Sequence, residues 1–167
     1  MSSNNLYQTI PTLYKQWTIS LDIMPLGIVE DWSSILHVGI GGNDAEYGDR
    51  TPSIMFLPSD GMHPPKLHIS SAIDGNSNYD FEVYNNHNAA LPFYEWTHVE
   101  MSQLLRPDES YQFIIRIAGQ TVAKLTNTDP REFSDVKVFA SDMYYTPAKA
   151  RIHNLTIQTF SDDGELV

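Results

Sequence analysis

Polar and apolar residues alternate with a period of two along most of this chain. Between Gln16 and Pro25, the residues Trp17, Ile19, Leu21 and Ile23 alternate with Thr18, Ser20 and Asp22, the pattern of a strand with one buried face. Pro25 and Gly27 end it. The same reasoning predicts strands over residues 34–40, 53–57, 66–73, 79–84, 96–104, 111–118, 121–126, 135–140 and 150–160. Turn clusters separate them: Asp60-Gly61, Asp74-Gly75-Asn76, Arg106-Pro107-Asp108 and Ala118-Gly119-Gln120. Helical periodicity is nearly absent. Only residues 89–95, limited by Pro92, and 130–133 are candidates for a short helical turn. Many short strands at regular spacing predict a single all-β domain, a sandwich or a barrel. It is expected to span residues 1–167, with a core over about 6–160 and loose polar ends at 1–5 and 161–167.

Composition narrows the function. At 167 residues the chain is long enough to bury a core without disulfides. Ten basic residues against twenty-one acidic ones give a net charge of -11, which repels nucleic acid and anionic lipid. With no cysteine, disulfide frameworks, thiolate zinc sites and cysteine nucleophiles are excluded. The first residues, Met-Ser-Ser-Asn-Asn-Leu-Tyr, lack a basic segment followed by an apolar one, so no signal peptide is expected in this chain. No apolar run approaches the roughly 20 residues of a membrane span, so no membrane insertion is expected.

The chemistry-bearing residues concentrate in two segments. In residues 41–50, Gly41 and Gly42 supply unusual backbone angles, and Asn43, Asp44, Glu46, Tyr47, Asp49 and Arg50 crowd together. This loop has two readings. In one, Asp49 turns the chain and Arg50 pairs with a nearby carboxylate. In the other, Asn43, Asp44 and Asp49 accept sugar hydroxyls, or Asp44 and Asp49 hold calcium, while Arg50 donates to a sugar oxygen. No regular Asp-x-Asp-x-Asp-Gly ladder is present to support a tight calcium site. The second segment, residues 74–88, carries Asn76, Asn78, Tyr79, Asn85, Asn86, His87 and Asn88. Amides place a donor and an acceptor on one short neutral arm, which suits hydroxyl recognition, and they also favour left-handed turns. A shared site requires the two segments to converge.

Strand parity sorts the aromatic and histidine residues. Thr97, Val99 and Met101 share one face of a strand, leaving Trp96, His98 and Glu100 on the other. Trp96 is then either folded over the sheet end or available to stack on a sugar, whereas Trp17 continues the core face of Ile19, Leu21 and Ile23. His37 and His68 fall on the polar faces of their strands, where a solvated or internally satisfied imidazole is expected and a sugar hydrogen bond is the other reading. The six histidines form no zinc-binding spacing. Asn154-Leu155-Thr156 is a glycosylation sequon. The apolar parity nevertheless shifts between Ile152 and Leu155, which predicts a bulge near His153 and Asn154.

Three segments carry a family resemblance: Glu95-Trp96-Thr97-His98-Val99, then Tyr111-Gln112-Phe113-Ile114-Ile115-Arg116-Ile117-Ala118-Gly119 with Val122, and the run from Phe133 to Asp142. With Tyr144-Tyr145, Ile152-His153-Asn154-Leu155 and the earlier Tyr47-Gly48-Asp49-Arg50-Thr51-Pro52-Ser53-Ile54, they resemble concanavalin A-like, laminin-G-like domains. Among these, the chain is similar to a group found in extracellular proteins of aquatic invertebrates. The resemblance covers roughly residues 16–160 and implies a jelly-roll β-sandwich of two antiparallel sheets in an extracellular protein. Such folds serve lectins, adhesion modules and some glycoside hydrolases. The hydrolases carry a Glu-x-Asp-x-x-Glu strand that sets two carboxylates about 5 Å apart, and no such segment exists here.

The expected function is therefore a non-catalytic, lectin-like module for a neutral glycan or glycoprotein, galactose-containing glycans included. Its expected contacts are Asn43, Asp44, Tyr47, Asp49, Arg50, Asn85 and His87, with an aromatic such as Trp96 stacked beneath the sugar. Self-association into a homo-oligomer is expected to raise avidity. The alternative is a laminin-G-like adhesion or matrix module that binds a protein partner with calcium assistance.

Overall fold

The computed structural model describes residues 2–28, 30–59, 63–161 and 163–167. Two antiparallel sheets pack face to face. The larger runs in the order β1 (Leu6–Leu13), β10 (Phe133–Phe139), β3 (Ser33–Gly39), β4 (Ser53–Phe56), β5 (Leu67–Ile73), β6 (Asn76–Asp80). A two-residue strand, β11 (Thr146–Pro147), adds in parallel to the start of β3. The smaller sheet runs β12 (Ala150–Phe160), β2 (Gln16–Pro25), β7 (Thr97–Leu105), β8 (Tyr111–Ile117), β9 (Gln120–Asn127). This is the jelly-roll sandwich that the family resemblance implies; alternation alone leaves a sandwich or a barrel open.

The core forms where the apolar faces meet. Ile19, Leu21, Ile23, Val99, Met101, Phe113, Ile115 and Ile117 of the smaller sheet are buried against Leu36, Val38, Ile54, Phe56, Leu67 and Ile69 of the larger. Phe113 anchors one end, edge-on to Trp17 at 5.4 Å between ring centroids and stacked on Phe81 at 4.6 Å. Burying such rings stabilises each by about 1.5–3 kcal/mol relative to exposure.

The departures from expectation have local causes. β1 does not alternate cleanly and contains Pro11, which lacks an N–H; both are tolerated because β1 is an edge strand. The strand expected over 79–84 ends at Asp80. There the Asp80 carboxylate accepts from the Glu82 amide at 2.8 Å, Glu82 takes φ 50°, and 3-10 turns follow at Val83–Asn85 and His87–Ala89. The only helical turns among the described residues therefore meet the predicted 89–95 segment at Ala89 alone. The bulge expected near His153 is present: the β12–β2 register slips between His153 and Thr156, with Asn154 at φ 50°. Both chain ends are tied by backbone bonds, Asn4 to Asp142 at 3.1 Å and Val167 to Thr159 at 3.0 Å. The turn expected at Asp60-Gly61 lies outside the described residues.

Strand direction decides what can meet. β4 pairs antiparallel with both β3 and β5, and β5 pairs antiparallel with β6. The connection from β3 to β4, which holds residues 41–50, therefore lies at the same end as the Asp74-Gly75 turn. Residues 83–96, which leave β6 and enter β7, lie at the opposite end, where Lys66 bridges Ala90.

Candidate functional site

At the first end, the 41–50 loop is built around Asp49 and Arg50, both nearly inaccessible at 3% and 2% exposure. The Asp49 carboxylate accepts from the Gly42 amide at 3.1 Å and the Glu46 amide at 2.8 Å, closing the loop on itself. Arg50 donates through Nε to the Asn43 carbonyl and through Nη2 to Asn43 Oδ1 and the Tyr145 hydroxyl, at 2.9, 2.8 and 2.9 Å. Its Nη1 reaches Asn78 Oδ1 at 2.7 Å and Ser70 Oγ at 3.3 Å. The guanidinium's five N–H donors match these five acceptors. Arg50 therefore has no donor left for a ligand while the loop keeps this shape. Its nearest carboxylate, Asp44, stands 3.7 Å away and half exposed, so the expected carboxylate pairing is minor beside the neutral acceptors.

The remaining residues of that loop have mixed surroundings. Tyr47 donates its hydroxyl to the Asp129 carbonyl at 2.7 Å, with the Arg131 guanidinium 4.2 Å from its ring centre. Burial, reinforced by the Asp129 charge, pushes the Tyr47 phenol above its usual range. Asn43 and Asp44 border an open depression of about 350 Å³ with Glu46 and Asp49. The Asp49 carboxylate is spent on the turn and the Asp44 carboxylate lies beside Arg50, so the two expected calcium ligands form no cage together. Among the described residues, no three His, Asp or Glu side chains gather as a metal-binding group.

At the opposite end, the two 3-10 turns and the entry to β7 enclose a cleft of about 430 Å³. His87, Asn88, Glu95, Trp96 and His98 supply its polar and aromatic wall, with Leu91 below. Trp96 is 50% exposed, so it is not folded into the core. Its ring lies 5.8 Å from that of His153. His98 Nδ1 sits 2.7 Å from Asp22 Oδ1, across the β2–β7 pair. Asn154 donates to the other Asp22 oxygen at 2.7 Å. With Nδ1 engaged by a carboxylate, Nε2 is the acceptor of a neutral His98 ring. The His98 hydrogen bond holds the Asp22 carboxyl below its usual range, against an opposing effect of burial.

The expected contacts therefore divide. Asn43, Asp44, Tyr47, Asp49 and Arg50 occupy one end of the sandwich, while Asn85, His87 and Trp96 occupy the other. Asn78 does meet the first loop, through Arg50. Asn85 donates to Glu82 at 3.2 Å and does not line the cleft. Sequence reasoning missed His98, Glu95 and Asn88 as partners of Trp96. The shared parity of Trp96 and His98 was the available signal.

These features define a concanavalin A-like jelly roll with an open polar cleft at each end. Comparison of the fold with solved structures agrees. The chain is similar to a heptameric SAP-like pentraxin from Limulus polyphemus, with 13% identity, 91% of this chain and 67% of that chain covered, and a TM-score of 0.57. It is also similar to the alginate lyase Aly36B, solved with an alginate tetrasaccharide, at 13% identity, 91% and 72% coverage and a TM-score of 0.56. A second alginate lyase, from Alteromonas sp. 272, aligns at 6% identity, 88% and 71% coverage and a TM-score of 0.51. No family model and no curated protein matches the chain in sequence.

Proposed function

We propose that this protein is an extracellular carbohydrate-binding module that takes a neutral glycan, galactose-containing ones included, in the Trp96 cleft without turning it over. The observation that carries the reading is Trp96 itself, a half-exposed indole on the wall of a polar cleft. An apolar sugar face stacks on the indole, excluding water from both. His98 Nε2 and the Glu95 carboxylate accept hydroxyl hydrogens, and the Asn88 amide both donates and accepts. His87 completes the wall. Acceptors outnumber cations here, which favours hydroxyl-rich, uncharged ligands over sulfated or sialylated ones. The fold accommodates oligosaccharides, as the alginate-bound lyase illustrates. Single open sites of this kind are weak, and self-association of the module raises avidity.

The test is a glycan array read with the wild-type chain, Trp96→Ala and Asn43→Ala. Selective binding is expected for the wild type, with at least a tenfold loss in Trp96→Ala at a nearly unchanged melting temperature, and retention in Asn43→Ala. Loss in Asn43→Ala alone would move the site to the opposite end. A silent array with capture of a protein partner would replace the reading by the adhesion-module one. Cleavage of any oligosaccharide would overturn the non-catalytic part.

A further inference from the structure

The outer face of the larger sheet carries a third pocket, remote in its chemistry from both polar clefts. Leu6, Phe139 and His37 lie in one row across β1, β10 and β3, since Leu6 pairs with Phe139 and Phe139 with His37. Lys137, which pairs with Gly39, stands in the adjacent row on the same face. The chain then leaves β10 and folds over this face, bringing Met143 and Tyr144 above it. These side chains enclose a pocket of about 320 Å³, within the roughly 300–1,000 Å³ span of small-ligand sites.

Its walls are apolar and uncovered. Leu6 is 50% exposed, Met143 56% and Tyr144 40%. Large apolar side chains gathered round one concavity mark a binding surface rather than scattered exposure. Its polar groups are few and specific. The Lys137 ammonium has no ion pair among the described residues, on a chain of net charge -11. His37, 1% exposed, forms part of the lining; its Nδ1 faces the Asp142 carboxylate, and its Nε2 has no hydrogen-bond partner among the described residues. Its ring lies 6.4 Å from Phe139 and 5.9 Å from Tyr144, centroid to centroid. The Asp142 carboxylate also lines the pocket, but it is turned to the loop amides and to His37 rather than paired with Lys137. One of its oxygens accepts the Tyr144 and Tyr145 amides at 3.0 Å each, and the other faces His37 Nδ1 at 3.3 Å.

We infer that this pocket binds a small carboxylic acid anion with an apolar body, its carboxylate on Lys137 and its body between Leu6, Phe139, Met143 and Tyr144. A ligand carboxylate beside Lys137 also comes within reach of the His37 row, because diagonal neighbours on adjacent strands stand about 7–8 Å apart. A polyanion is repelled by the surrounding acidic surface. A single carboxylate is repelled far less, and burial of its apolar body offsets that repulsion.

The test is a 1H–15N NMR titration of the intact chain with sodium octanoate and, separately, with 1-octanol. Octanoate is expected to give saturable shifts confined to Gly41, Gly42, Lys137, Phe139 and Met143, with octanol at least tenfold weaker. Lys137→Gln should bring octanoate down to the octanol value, Met143→Glu should abolish both, and Trp96→Ala should change neither. Each substituted side chain is partly or largely exposed, so the fold survives for measurement, and unchanged spectra elsewhere verify it. No saturable shift with octanoate, equal affinity for octanol, or an unaffected Lys137→Gln variant would overturn the site.

Discussion

Arg50 grips Asn43 twice, through Nε to its backbone carbonyl at 2.9 Å and through Nη2 to its side-chain oxygen at 2.8 Å. Two of the residues that stand out as ligand-capable in the sequence are thus partners of one another. Removing the guanidinium leaves Asn43, Asn78, Ser70 and Tyr145 without their donor. Leaving buried acceptors unsatisfied costs about 1–3 kcal/mol for each group that water cannot reach. Arg50→Ala is therefore expected to lose about 3 kcal/mol or more of stability, measured by urea unfolding. Glycan binding in the Trp96 cleft should persist wherever the variant remains folded. A stable Arg50→Ala variant that has lost binding would return the ligand site to this loop.

This arrangement shows where sequence reasoning reaches and where it stops. β2, β7 and β8 are legible because Trp17, Ile19, Leu21 and Ile23, then Val99 and Met101, then Phe113, Ile115 and Ile117 recur at every second position and the structure buries them. β11 is not, because two residues in parallel beside β3 leave no periodic trace. The turn role of Asp49 is one of the two local readings of its loop, and local contacts with Gly42 and Glu46 fulfil it. The saturation of Arg50 is not legible, because Ser70, Asn78 and Tyr145 come from three other segments of the chain. Parity gives Trp96 its face. Its exposure depends on how the 83–91 turns pack, which no alternation encodes. The 41–50 and 74–88 segments fail to converge as a whole because consecutive antiparallel strands send their connections to opposite ends.

Gly39 is held by contact rather than by an unusual backbone angle. A Cβ built there would overlap the Asp49 carbonyl oxygen; β3 is fixed by its ladders, and the loop is tied to it by the Ile40 amide on the Gly48 carbonyl at 3.1 Å and the Thr51 amide on the Val38 carbonyl at 2.6 Å. Gly48 combines φ 111° with a Cβ position 2.5 Å from the Phe133 ring. Gly39→Ala must separate β3 from the returning loop, at a cost of about 3 kcal/mol, the upper end for overpacking. Gly48→Ala adds backbone strain to a clash that a ring can partly relieve. Both should lower the melting temperature, and Gly39→Ala should also broaden the amide resonances of residues 41–50.

His68 makes stability depend on pH near neutrality. It is buried under Trp32 and Tyr84, with Nε2 3.4 Å from Asp80. Burial lowers its pKa, Asp80 opposes that shift, and Arg50 adds to it. The unfolded chain, with an ordinary value near 6.5, then binds a proton before the folded one does. Stability therefore falls as pH drops below that value and stops falling once the folded imidazole also protonates. Urea unfolding between pH 7.5 and 5 should show this slope, and His68→Asn should reduce it. An equal slope in the variant would assign the effect to the other histidines.

Asp22 acts in the acid range with its own sign. The His98 hydrogen bond, opposed by burial and aided by Asn154, depresses its folded pKa. The stabilisation is fully present above the ordinary carboxylate value, near 3.9, and is lost as pH falls through the depressed folded value. Asp22→Asn removes the charge and keeps most of the shape. The stability gap between wild type and variant should be about 1 kcal/mol or less at pH 6, since His98 is half exposed and the pair is screened. It should close by pH 2 and shrink in high salt. The same substitution frees His98 to rotate, so glycan affinity at pH 7 should fall severalfold even though Asp22 lies outside the cleft lining. Unchanged affinity, with the stability gap present, would confine His98 to a structural role and leave Trp96 as the cleft's chief contact.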